Sequence, residues 1–77
     1  MGTLDVYGRW AARGKDAKLR LCRQFPSEQF RQAVYYADEM YVREGAIRVE
    51  VRQVRQDDTG AELAEVRFLI AEEGQGV

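Results

Sequence analysis

Two kinds of hydrophobic period divide the chain. From Thr3 to Ala12 the positions alternate: Leu4, Val6, Gly8, Trp10 and Ala12 fall on one side, and Thr3, Asp5, Tyr7, Arg9 and Ala11 on the other. That is the pattern of a half-buried strand. Arg13-Gly14-Lys15-Asp16 reads as a turn, with Gly14 free to take a positive φ. A second alternating run spans Ala17 to Phe25, with Ala17, Leu19, Leu21 and Phe25 inward and Lys18, Arg20, Cys22 and Gln24 outward. Arg23 falls out of phase on the apolar side, which suits a sheet rim. The two runs predict a hairpin.

The period then lengthens to that of a helix. Phe30, Ala33, Val34, Ala37, Met40 and Tyr41 recur at helical spacing. Ser27 is the expected N-cap, since its hydroxyl can accept from a free N–H of the first turn. Glu28 would suit the positive end of the helix dipole. Gly45 is the expected stop, with Arg43 in the last turn. The helix is therefore predicted from about Glu28 to Glu44.

Alternation resumes after Gly45. Ile47, Val49 and Val51 are expected inward, and Arg48, Glu50 and Arg52 outward; Val54 is out of phase and suggests a bulge or a strand end. Gln56-Asp57-Asp58-Thr59-Gly60 is a turn signal. The last strand is predicted from about Glu62 to Ala71, with Ala64, Val66, Phe68 and Ile70 inward and Leu63, Glu65, Arg67 and Leu69 outward. Residues 72–77 read as a frayed tail. The predicted fold is α+β: one domain over residues 1–77, ββαββ, a four-stranded antiparallel sheet with one helix across one face. Water is an acceptable cover for the second face of such a sheet.

Composition narrows the chemistry. Seventy-seven residues make one domain with one modest core. There is no histidine and one cysteine, Cys22. No internal disulfide, no Cys/His zinc site and no His-based nucleophile can form. No glycine-rich phosphate loop is present, so no enzyme, cofactor or metal site is expected. The apolar runs are far too short for a membrane span. The N-terminus lacks the basic and apolar regions of a signal peptide. A lone cysteine suits a reducing cytoplasm, the host's cytoplasm if a phage encodes the chain.

Net charge is -1, but it is unevenly spread. Residues 1–26 carry six basic and two acidic groups, and residues 57–77 carry one basic and six acidic groups. Three surfaces follow. On the outer helix face, Tyr35 and Val42 lie two turns apart, flanked by Tyr36, Asp38 and Glu39, a make-up suited to protein contact. An acidic turn carries Asp57, Asp58 and Glu62, which could dock on a basic groove. The open sheet face is expected to carry Tyr7, Arg9, Arg20, Arg48, Arg52 and Arg67, which could track a phosphate backbone and stack a base. Interleaved acids and a single aromatic weaken that last reading.

The function expected from these surfaces is a non-catalytic protein-binding module whose partner is a larger protein or nucleoprotein complex. In size and lack of catalytic parts the chain is similar to small phage and mobile-element inhibitors of host systems, anti-CRISPR proteins included; no motif carries the likeness. Such an inhibitor would act by steric blockade. The alternative is a small nucleic-acid-binding domain using the sheet. A homodimer through a sheet edge or the open face is compatible with either.

Overall fold

A computed structural model describes residues 2–71; the expected tail, 72–77, lies outside the described residues. The elements are β1 (Gly2–Arg9), a 3₁₀ turn (Lys15–Ala17), β2 (Arg20–Pro26), α1 (Phe30–Glu44), β3 (Arg48–Gln56) and β4 (Glu62–Ala71). The strands form one antiparallel sheet in the order β2-β1-β3-β4. The ββαββ architecture is thus as the alternation predicted. The central strands β1 and β3 pair without a break, from Gly2 opposite Arg55 to Arg9 opposite Arg48.

Leu4, Val6, Val49 and Val51 from these central strands are fully covered by Ala33, Ala37 and Met40 of α1, with Phe25 and Ala46 completing the core. Each large aliphatic side chain so covered contributes about 1.5–3 kcal/mol. Small residues at positions 33 and 37 let the helix lie close to the sheet. Gly8 serves the same end, because a Cβ there would press on Met40 and come within 2.7 Å of the Trp10 ring. Gly45 ends the helix in the left-handed region, φ 77°, and the N–H groups of Gly45 and Ala46 both reach the Met40 carbonyl.

Several expectations are corrected. β1 stops at Arg9. Trp10 leaves the strand to pack beside the core and donate from Nε1 to the Glu44 carbonyl at 3.0 Å. β2 begins at Arg20 because Lys15–Ala17 closes a 3₁₀ turn. The helix begins at Phe30, not Glu28, and Ser27 does not cap it. Instead Ser27 Oγ accepts from Gln53 Nε2 at 3.1 Å, while the Gln29 N–H turns back to the Pro26 carbonyl. β3 runs on through Val54, which pairs with Thr3 and Ala64 on the open face.

The largest corrections come from two bulges. In β2, Val6 opposes Arg23 and Tyr7 opposes Leu21, so Cys22 is the extra residue. In β4, Val51 opposes Phe68 and Arg52 opposes Val66, so Arg67 is the extra residue. Partners across strands share a face, and an extra residue flips everything beyond it. Leu21, Ala64 and Val66 therefore lie on the open face rather than in the core. Arg20, opposite Gly8, lies on the helix side with its guanidinium 5.6 Å from the Trp10 ring centroid. Arg67 also turns to the helix side, 5.1 Å from the Phe30 ring centroid and 2.6 Å from Gln53 Oε1.

Candidate protein-contact groove

β2 is an edge strand, and α1 crosses the sheet beside it. Between them runs a groove of about 550 Å³. Its strand wall is Arg23 and Phe25; its helix wall is Arg31, Gln32, Tyr35, Tyr36 and Glu39. The floor is aromatic. Phe25 and Tyr36 meet edge to face, with centroids 5.8 Å apart and planes at 62°. The Arg23 guanidinium lies over both, 4.8 Å from Phe25 and 5.4 Å from Tyr36. These contacts hold a cation in place on an apolar surface. Tyr35 stands above the floor, 69% exposed.

Charge in the groove is net positive. Glu39 forms an i,i+4 pair with Arg43 at 2.8 Å, which offsets its charge. Arg31 is exposed on the helix wall, and Arg23 faces it from the strand. A rigid aromatic floor beside two guanidinium groups is the make-up of a contact hot spot, where tyrosine and arginine are enriched. It suits a partner that offers an apolar side chain together with a carboxylate.

Of the five helix residues expected at a contact, the groove gathers Tyr35, Tyr36 and Glu39. Asp38 and Val42 are exposed but do not line it. The sequence reading missed Arg23, Phe25, Arg31 and Gln32. A signal for the first was present: an arginine in phase with core positions must find an aromatic or a rim. Arg31 stands one turn before Tyr35 on the same helix face, which was a second signal.

The acidic turn has a local use. Asp57 Oδ1 accepts from Thr59 Oγ1 at 2.7 Å, the Thr59 N–H at 2.8 Å and the Ala61 N–H at 3.0 Å. The bond from the Thr59 hydroxyl, then those from backbone N–H groups, holds this carboxyl below its ordinary range. Asp57 is thus spent on closing the β3–β4 hairpin, whereas Asp58 and Glu62 are exposed.

The open face differs from the expected basic sheet. Tyr7, Arg9, Arg48 and Arg52 lie there, but Arg20 and Arg67 do not, for the reason given above. Two acids on this face are buried, which alternation alone did not anticipate: Asp5 is 6% exposed and Glu50 5%. Asp5 accepts from Thr3 Oγ1 at 2.7 Å and Gln24 Nε2 at 3.2 Å. Glu50 accepts from Arg48 Nε at 2.8 Å and from Arg52 Nε at 2.9 Å and Nη2 at 2.8 Å. Burial alone would raise the Glu50 carboxyl, but the bonds from Arg48 and Arg52, with their charges, outweigh it and hold the carboxyl below its ordinary range. Arg52 also covers Tyr7, with its guanidinium 4.3 Å from the ring centroid. A base could stack on that ring only after displacing the chain's own arginine.

Cys22, on its bulge, donates weakly to the Arg20 carbonyl at 3.3 Å. Partial burial raises its thiol pKa and outweighs the nearby Arg20 charge, so the thiol is not activated. Among the described residues no cluster of three or more metal-ligating side chains exists, and no helix is long and apolar enough to cross a membrane. No protein-family model, curated protein or solved structure matches the chain.

Proposed function

We propose that this chain is a non-catalytic protein-binding module that contacts its partner through the groove between α1 and β2. The observation that carries this reading is Arg23, fixed over Phe25 and Tyr36 and facing Arg31 and Tyr35. Such a surface supports binding of an acidic, partly apolar segment on a larger protein or nucleoprotein complex. Its mode of action is steric: occupation of a surface the partner needs. This is the mode of small phage and mobile-element inhibitors, the anti-CRISPR proteins among them, and small size and the absence of histidine from the sequence support it. The setting that suits a lone free thiol is a reducing cytoplasm.

The nucleic-acid reading is less well supported. Glu50 offsets the charge of Arg48 and Arg52, and Tyr7 is already covered.

The test pairs two variants. Tyr35→Ala with Arg31→Glu alters the groove from exposed positions and leaves the core alone. Arg52→Glu alters the open face. The groove variant should lose the partner that the wild-type chain retains, while the open-face variant should keep it. Retention by the groove variant would refute the proposal. Gel shifts with single- and double-stranded DNA and RNA at low salt test the alternative, which requires binding that weakens steeply as salt rises.

A further inference from the structure

The two edges of the sheet are not alike. β2 is guarded by Arg20, Arg23 and Pro26, residues that discourage further strand pairing. β4 is longer, at ten residues, and contains no proline. From Val66 to Ala71 its single charge is Arg67, and that guanidinium is drawn back to Phe30 and Gln53. Leu63, Val66 and Leu69 are each about half exposed along this strand. Glu65, earlier on the strand, is paired with Arg55 at 3.8 Å, and an edge that ends in so apolar a run is a template for another strand.

The bulge says which strand fits. It places Arg67 and Phe68 side by side on the helix face, so Val66 and Leu69 both fall on the open face. Counted outward from the midpoint of residues 67 and 68, faces alternate identically in the two directions. Ala64, Val66, Leu69 and Ala71 share the open face, all uncharged. A second copy of β4 running antiparallel therefore meets matched faces at every step, with Val66 opposite Leu69 of the other copy and Ala64 opposite Ala71. No charged side chain opposes another on the open face of this seam.

We propose that β4 pairs antiparallel with β4 of a second copy of this chain, about a two-fold axis between Arg67 and Phe68, to form an eight-stranded sheet. This contact is isologous, so it closes after two chains. Both helices then lie on one face, and each α1–β2 groove stays at an outer edge.

The test reads mass and register. Light scattering on the full chain should give twice 8.9 kDa at high concentration, and Val66→Lys with Leu69→Lys should give the monomer mass with an unchanged circular dichroism spectrum. In a Cys22→Ala background, Val66→Cys protein mixed with Leu69→Cys protein should form a disulfide-linked dimer under mild oxidation. Neither alone should do so, because only the mixed pair brings the two sulfurs opposite each other. A wild-type chain that stays monomeric at every concentration overturns the proposal. So does cross-linking of either single variant with itself in preference to the mixture.

Discussion

Glu50→Gln removes one charge from the middle of the open sheet face and keeps the shape of the side chain. Glu50 is buried, and three donor atoms on Arg48 and Arg52 lie 2.8–2.9 Å from it. Hydrogen bonds to a charged group are worth about 1.5–3 kcal/mol when the site is buried. The arginine side chains, however, are 31% and 33% exposed, so water takes up part of what they lose, and exposed pairs are worth at most about 1 kcal/mol. The expected loss is about 2 kcal/mol, a fall in Tm of roughly 10 °C for a domain of this size. The dependence on pH has a definite sign. The carboxyl is held below its ordinary range in the folded chain, so its stabilisation is complete above that range and is lost as pH falls through the depressed value. Urea unfolding of both proteins from neutral pH to about pH 2 measures the gap. It should be widest near neutrality and should close in acid. A gap under about 0.5 kcal/mol at pH 7, or one that acid leaves unchanged, would refute this account of the open face.

Gly45→Ala should cost about 1 kcal/mol in thermal unfolding, because φ is 77° there and the space around it is open, so the penalty is conformational alone. Gly8→Ala should cost about 1–3 kcal/mol, since Met40 can swing aside but the Trp10 ring must shift; a neutral result in denaturant melts would contradict the packing of α1 on β1. Cys22 should react with iodoacetamide at pH 7 more slowly than a free thiol, given its raised pKa, and a faster rate would show an activated thiol instead.

Element type was legible in the sequence because the period changes sharply at Pro26 and again at Gly45. Side-chain facing was legible only between irregularities. β1 and β3 pair without a break, and Leu4, Val6, Gly8, Val49 and Val51 face inward as alternation predicts, whereas Gln53, opposite Leu4, also turns to the helix side without a hydrophobic signal. In β2 and β4 one extra residue flips the face beyond it. A bulge has no residue signature of its own, since Cys22 and Arg67 are ordinary strand residues. Its trace is a phase slip. Arg23 shows it, but an arginine in phase with the core fits a sheet rim equally well and does not by itself turn Leu21 outward. Val54 suggests an irregularity, but it pairs regularly with Ala64; the extra residue sits on β4 opposite Val51 and Arg52. The N-cap was misplaced because Gln53, distant in sequence, recruits the Ser27 hydroxyl. Of the seven residues that line the candidate groove, Tyr35, Tyr36 and Glu39 are legible on the aromatic helix face. Two more come from β2, and only the tertiary fold brings Arg23 and Phe25 beneath Tyr36.

The central claim is that the α1–β2 groove holds a protein partner. Three baits test it most directly: wild type, Tyr35→Ala with Arg31→Glu, and Arg52→Glu. Each is passed over native host extract treated with nuclease, and the bound proteins are identified and quantified. The account predicts one partner that is held by wild type and Arg52→Glu and is reduced at least tenfold on the groove variant, a loss of about 1.4 kcal/mol or more. A partner held equally by all three, or lost on Arg52→Glu alone, would contradict it.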